Sequence, residues 1–152
     1  MEKIKMTFEE FENAKAEMIR LADEMWKTYG YPYWIDYPVS LSDKKYEVFG
    51  RYWNFVCMTL YWDVVTKDAK PDTTYELLPA WYTIPNSPIA SIGWRMGGGE
   101  SYLHCLWAYQ DALSKEELAA WEAKYPTPPH FDEEKMEEYF AAHPEIFEEN
   151  GD

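Results

Sequence analysis

Apolar side chains recur at Phe8, Phe11, Ala14, Met18, Leu21, Ala22, Met25, Trp26 and Tyr29. This is the three-and-four spacing of one helical face and predicts a helix over residues 7–29. Thr7 with Glu10 three residues on makes a capping box at its start, Met6 is placed to staple onto Phe11, and Gly30 supplies the stop. A loop over residues 31–41, broken by Pro32 and Pro38, leads to a second period at Tyr46, Phe49, Trp53, Val56, Leu60 and Val64. That period predicts a helix over residues 43–67 with Ser42 as its cap. A strand competes with it, because Tyr, Trp, Val and Thr dominate residues 52–65, and Gly50 costs a helix interior about 1 kcal/mol.

Beyond residue 73 the pattern changes. Pro79, Pro85 and Pro88 separate short apolar runs, and residues 89–96 face residues 101–109 across Gly97-Gly98-Gly99-Glu100, which reads as a β-hairpin. Two capped helices follow. Ser114 with Glu117, stapled by Leu113 and Leu118, opens one over residues 114–125 before Pro126; Asp132, stapled by Phe131 and Met136, opens another over residues 132–142 before Pro144. The expected architecture is α+β. A single compact domain, residues 1–152, packs about four helices on a small antiparallel sheet or β-hairpin drawn from residues 75–109, and residues 131–152 form an acidic C-terminal helix and tail.

Composition narrows the function. The 152 residues hold 28 acidic and 14 basic side chains, a net charge of −14, which argues against direct binding to phosphate backbones or anionic membranes. Residues 114–152 alone carry 12 acids and 3 bases, so most of the excess lies in the last quarter. With 18% aromatic residues the chain has the means to pack a core. Two cysteines exclude a dense disulfide framework, and the charged N-terminal segment lacks the apolar run of a signal peptide. A reducing, cytoplasmic setting is the expectation.

Most catalytic chemistries lack their parts. His104 and Cys105 are adjacent, and on a strand they would point to opposite faces, so they form no dyad. Three histidines (His104, His130, His143) and two cysteines show no spacing that converges on a metal, and no cofactor is expected. The glycine run lacks the lysine of a phosphate-binding loop and carries Glu100 where an anion would approach, so it reads as a turn. Asp36, Asp63, Glu76 and Glu100 are candidates for a carboxylate pair acting on a sugar, but such candidates are numerous among 28 acids and a chain of this length leaves limited room for a long substrate cleft.

Two features remain. From residue 132 to 149 there are 8 acids and one base, among them Asp132, Glu133, Glu134, Glu137, Glu138, Glu145, Glu148 and Glu149. As a continuous helix this stretch would present a carboxylate every ~3.4 Å, near the spacing of phosphates along a DNA strand. Tyr33 and Trp34 sit in a proline-containing loop with no period to bury them, and such rings are enriched at interfaces. The primary expectation is therefore a non-enzymatic acidic interaction protein that binds and inhibits a basic, nucleic-acid-handling protein such as a nuclease, through these ten residues. In net charge and size the chain is similar to anti-restriction and anti-CRISPR inhibitors and to immunity proteins that neutralise nuclease toxins, a similarity of class carried by no motif. The alternative is a small enzyme or ligand-binding module with a central pocket lined by Trp or Tyr, such as Trp34, Trp81, Trp94 or Trp107, for a sugar or aromatic ligand.

Overall fold

The computed structural model describes residues 2–34, 36–89 and 91–148, and among them every regular element is helical. Helices α1 (Phe8–Tyr29), α2 (Glu47–Asn54), α3 (Trp62–Lys67), α4 (Gly98–Ala112), α5 (Lys115–Lys124), α6 (Glu133–Ala142) and α7 (Glu145–Glu148) follow in chain order. A π-helical stretch, Phe55–Leu60, joins α2 to α3, and 3-10 turns lie at Lys44–Tyr46, Ala80–Tyr82, Ile92–Trp94 and Pro129–Phe131. The α+β expectation is thus corrected to an all-helical domain.

The hairpin is replaced by α4. Its buried residues Tyr102, Cys105, Leu106 and Tyr109 follow the helical three-and-four spacing. The glycines start this helix instead of reversing the chain. Gly97 precedes it with φ at +74°, a conformation that favours glycine, and a methyl group on Gly99 would overlap the Gly93 carbonyl oxygen. The 75–109 sheet fails for a second reason: side chains take the place of a neighbouring strand. The Leu78 N–H donates to the Tyr52 hydroxyl (2.9 Å), the Tyr102 hydroxyl donates to the Leu78 carbonyl (2.6 Å), and the Trp121 indole N–H donates to the Leu77 carbonyl (2.8 Å). With those groups satisfied, this segment crosses the core without a ladder.

The helix ends match their signals more closely. Thr7–Glu10 and Ser114–Glu117 both form reciprocal capping boxes, and Asp132 accepts from the N–H groups of Glu134 and Lys135 at 3.0 and 3.3 Å. Ser42 is a correction. Asp43 precedes the first turn of the second helical region with no side-chain cap bond, and the Ser42 hydroxyl pairs with Ser40 instead (2.7 Å). In the 43–67 region helix prevails over strand, as a 3-10 turn, α2, the π-helical stretch and α3 in succession.

The core gathers α1 against α2 and the π-helical stretch. Phe11 stacks on Tyr52 and meets Phe55 and Tyr75 at 5.2–5.6 Å between ring centres. Asn54 pins the N-terminal segment, accepting from the Ile4 N–H (2.8 Å) and donating to the Glu2 carbonyl (3.1 Å). Lys15, almost fully buried, donates to the Glu76 carbonyl (2.9 Å) and pairs with Glu12 (2.8 Å).

Candidate functional site

The exposed face of α2 and the start of α4 enclose a groove of about 400 Å³. Leu41, Phe49, Trp53, Ile84 and Met96 form its apolar walls, while Gly50, Gly93, Gly98 and Gly99 leave backbone exposed along its surface. The Trp53 indole N–H donates to the Gly98 carbonyl at 2.8 Å, which ties the ring of one wall to the backbone of the other. Thr83, also lining the groove, donates its hydroxyl to the Ala80 carbonyl (2.7 Å). The groove thus offers apolar surface and bare backbone with few free polar side chains, a composition suited to a flat apolar group.

Gly50 is the informative residue here. It sits in α2, where glycine costs about 1 kcal/mol relative to alanine. Beyond its own helix backbone and chain neighbours, nothing lies within 4 Å of the position its Cβ would take. Packing does not demand a glycine at this place, and its effect is to keep the groove open. Sequence reasoning treated Gly50 only as a weakness in the helix and missed Trp53, Ile84 and Met96 as a group. The recurrence of glycine at 50, 93 and 97–99 was the available signal.

The acidic residues chosen from the sequence lie elsewhere. Glu133, Glu134, Glu137 and Glu138 are exposed on α6, Asp132 is spent on the cap, Glu145 is exposed, Glu148 lies in α7, and Glu149 falls outside the described residues. Glu133 and Glu137 share a second concavity, about 360 Å³, with Arg95, Met136 and Phe140. Tyr33 and Trp34 face inward toward this helix. Tyr33 stacks on Tyr139 at 4.2 Å and 7°, Tyr139 stacks on His143 at 4.1 Å, and Trp34 sets its ring at an angle to Phe140 and Phe147 at about 6 Å. Burial, with Tyr31, Tyr139 and Glu138 nearby, pushes the Tyr33 phenol up. The two loop aromatics therefore clamp α6 and α7 to the body of the domain.

The remaining candidates disperse. Asp36 and Asp63 are exposed, and Glu100 lies 3.8 Å from His104. Glu76 is held by Lys124 (2.8 Å), Tyr125 (2.7 Å) and Lys15 (3.5 Å); burial raises its pKa, but these partners outweigh that and leave it below the usual carboxylate range. The structure binds it to cations and a phenol, so it is not one of a carboxylate pair. His104 and Cys105 lie on a helix, the histidine exposed and the cysteine buried, so their separation stands for a different reason from the one expected. Among the described residues no three His, Cys, Asp or Glu side chains are grouped to hold a metal ion, and no helix is long and apolar enough to cross a membrane.

Of the four tryptophans named for a pocket, Trp81 and Trp94 pack on Phe131, Trp34 on α6 and α7, and exposed Trp107 stacks on His104 at 5.5 Å. Trp53 takes the place expected of them. Compared with known protein families, curated proteins and solved structures, the chain matches none.

Proposed function

We propose that this protein is a binding module that receives a flat apolar or aromatic group in the groove between α2 and the start of α4, and no reaction is assigned to it. Gly50 carries the reading: a glycine that costs its helix about 1 kcal/mol lines the groove, with open space where a side chain would begin. The few free polar side chains favour an aromatic ligand over a sugar, since a buried sugar hydroxyl needs hydrogen-bond partners.

The test uses Gly50→Leu. The new side chain enters empty space and improves helix propensity, so the fold survives while the groove fills. With indole as the probe, amide spectra of the unaltered protein should shift at Gly98, Gly99 and the Trp53 indole N–H, and Gly50→Leu should weaken binding at least about tenfold. Shifts centred elsewhere, or equal binding by the variant, overturn the reading.

A second reading rests on α6, whose Glu133, Glu134, Glu137 and Glu138 are exposed on a helix that Tyr33 and Trp34 hold in place. We propose that this surface docks a basic protein by charge complementarity. Binding to such a partner should fall with salt and with replacement of all four by glutamine, and binding indifferent to both overturns it.

A further inference from the structure

The π-helical stretch and α4 bring the molecule's two cysteines together. Cys57 lies in the stretch Phe55–Leu60 and Cys105 on the buried face of α4; 48 residues apart in sequence, their sulfurs stand 3.8 Å apart. Both are free thiols. They also border a concavity of about 230 Å³ that Met58, Trp62, Ser101 and His104 complete, which gives a small reagent a way in. The π geometry is marked by the Tyr61 N–H donating to the Val56 carbonyl at 2.8 Å, five residues back, and such widened turns frequently serve functional sites. A structural role for the pair would need only one small buried side chain at each place; two thiols in S–H···S reach at the back of a concavity have a further chemistry.

We propose that Cys57 and Cys105 are a redox dithiol, a modification site that hydrogen peroxide converts into a disulfide within one chain. In the first step the Cys105 thiolate attacks a peroxide oxygen; the O–O bond breaks, hydroxide leaves and takes up a proton as water, and Cys105 becomes a sulfenic acid. In the second, Cys57 sulfur attacks the Cys105 sulfur, the S–S bond forms, the S–O bond breaks, and the hydroxyl departs as water with the proton of Cys57. Two thiols lose two electrons, and one peroxide is reduced to two waters. A dithiol reductant reverses the change.

The assignment of Cys105 as the attacking sulfur follows from its partner. The contact with the Cys57 sulfur draws the Cys105 thiol below its ordinary range against the opposing effect of burial, while the same contact and burial push the Cys57 thiol up. Closing the bond requires the sulfurs to approach from 3.8 Å to the ~2.05 Å of a disulfide. The bridge would join the helical run that carries Trp53 to the helix that carries Gly98 and Gly99, the two walls of the groove.

The experiment treats the reduced full chain with hydrogen peroxide, quenches with iodoacetamide and measures intact mass. The expected product is a monomer that has lost two hydrogen atoms and both alkylation sites and that regains both sites with dithiothreitol. Thiols that stay alkylatable, oxygen added without a bridge, or bridges between chains would overturn the proposal.

Discussion

Two aromatic clusters in this domain are built from similar rings and differ in what happens to their polar atoms. Tyr52 and Tyr102 both use their hydroxyls: the two bond each other at 2.7 Å and together serve both backbone groups of Leu78. Burial pushes both phenols far above their ordinary range, so they stay neutral donors and acceptors. Around His130 the rings pack as closely, with Trp26, Tyr31 and Phe131 at 5.1–5.6 Å, yet neither imidazole nitrogen has a partner within the described chain, nor do the indole N–H groups of Trp81 and Trp94. The first cluster acts as a set of hydrogen-bond connectors; in the second, apart from the Trp26 indole N–H, which donates to the Pro85 carbonyl (2.9 Å), the rings act as apolar filling. Packing alone does not separate them; hydrogen bonding does, since a buried polar group contributes little when bonded and costs most when left alone.

Acid should expose the difference first. Burial pushes the His130 imidazole down to about 3 from its ordinary 6.5. The unfolded chain therefore binds a proton near pH 6.5 that the folded chain refuses until about pH 3, so this contribution to stability is present above 6.5 and is lost as pH falls. From pH 7 to 4.5 the loss should be roughly 2 to 3 kcal/mol in urea unfolding, and His130→Leu should abolish it. Glu76, held below its ordinary 4.5, adds its own loss only at lower pH. A histidine variant with the same slope as the unaltered protein breaks the comparison.

Tyr102→Phe should rank next, costing about 2 kcal/mol at pH 7, because it strands the Leu78 carbonyl and half of the Tyr52 hydroxyl in the core. The smallest effect belongs to His130→Leu at pH 7. Removing two unpartnered nitrogens should change stability by less than about 1 kcal/mol in either direction. If the histidine variant proves the more damaging of the two at neutral pH, the division into connectors and filling is wrong.

Much of the helical content was legible because its signals are short. The capping boxes at Thr7 and Ser114 and the cap at Asp132 depend on residues two or three apart, and all formed. The period of α4 was equally present in Tyr102, Cys105, Leu106 and Tyr109, but the glycine run before it drew the reading toward a turn. Glycine serves a reversal and a close approach equally well, and the carbonyl of Gly93 that requires Gly99 is visible only in the fold. The groove was obscured for the same reason: Trp53 and Gly98 are 45 residues apart and meet through one hydrogen bond. For the acidic helix the residues were evident, whereas the inward turn of Tyr33 and Trp34 was not, because a ring free to face solvent and a ring clamped on a distant helix have the same local sequence.

What the amino-acid order settled alone, then, is where α1, α5 and α6 begin and end, together with a charge concentrated toward the C-terminus. Those properties rest on neighbours within a turn or on simple counting. Only the folded chain decided that side chains 24 to 44 residues away would serve the backbone of Leu77 and Leu78 in place of a strand, and that two thiols 48 residues apart would meet. Such pairings depend on how the helices pack, and local spacing carries no record of a partner that distant.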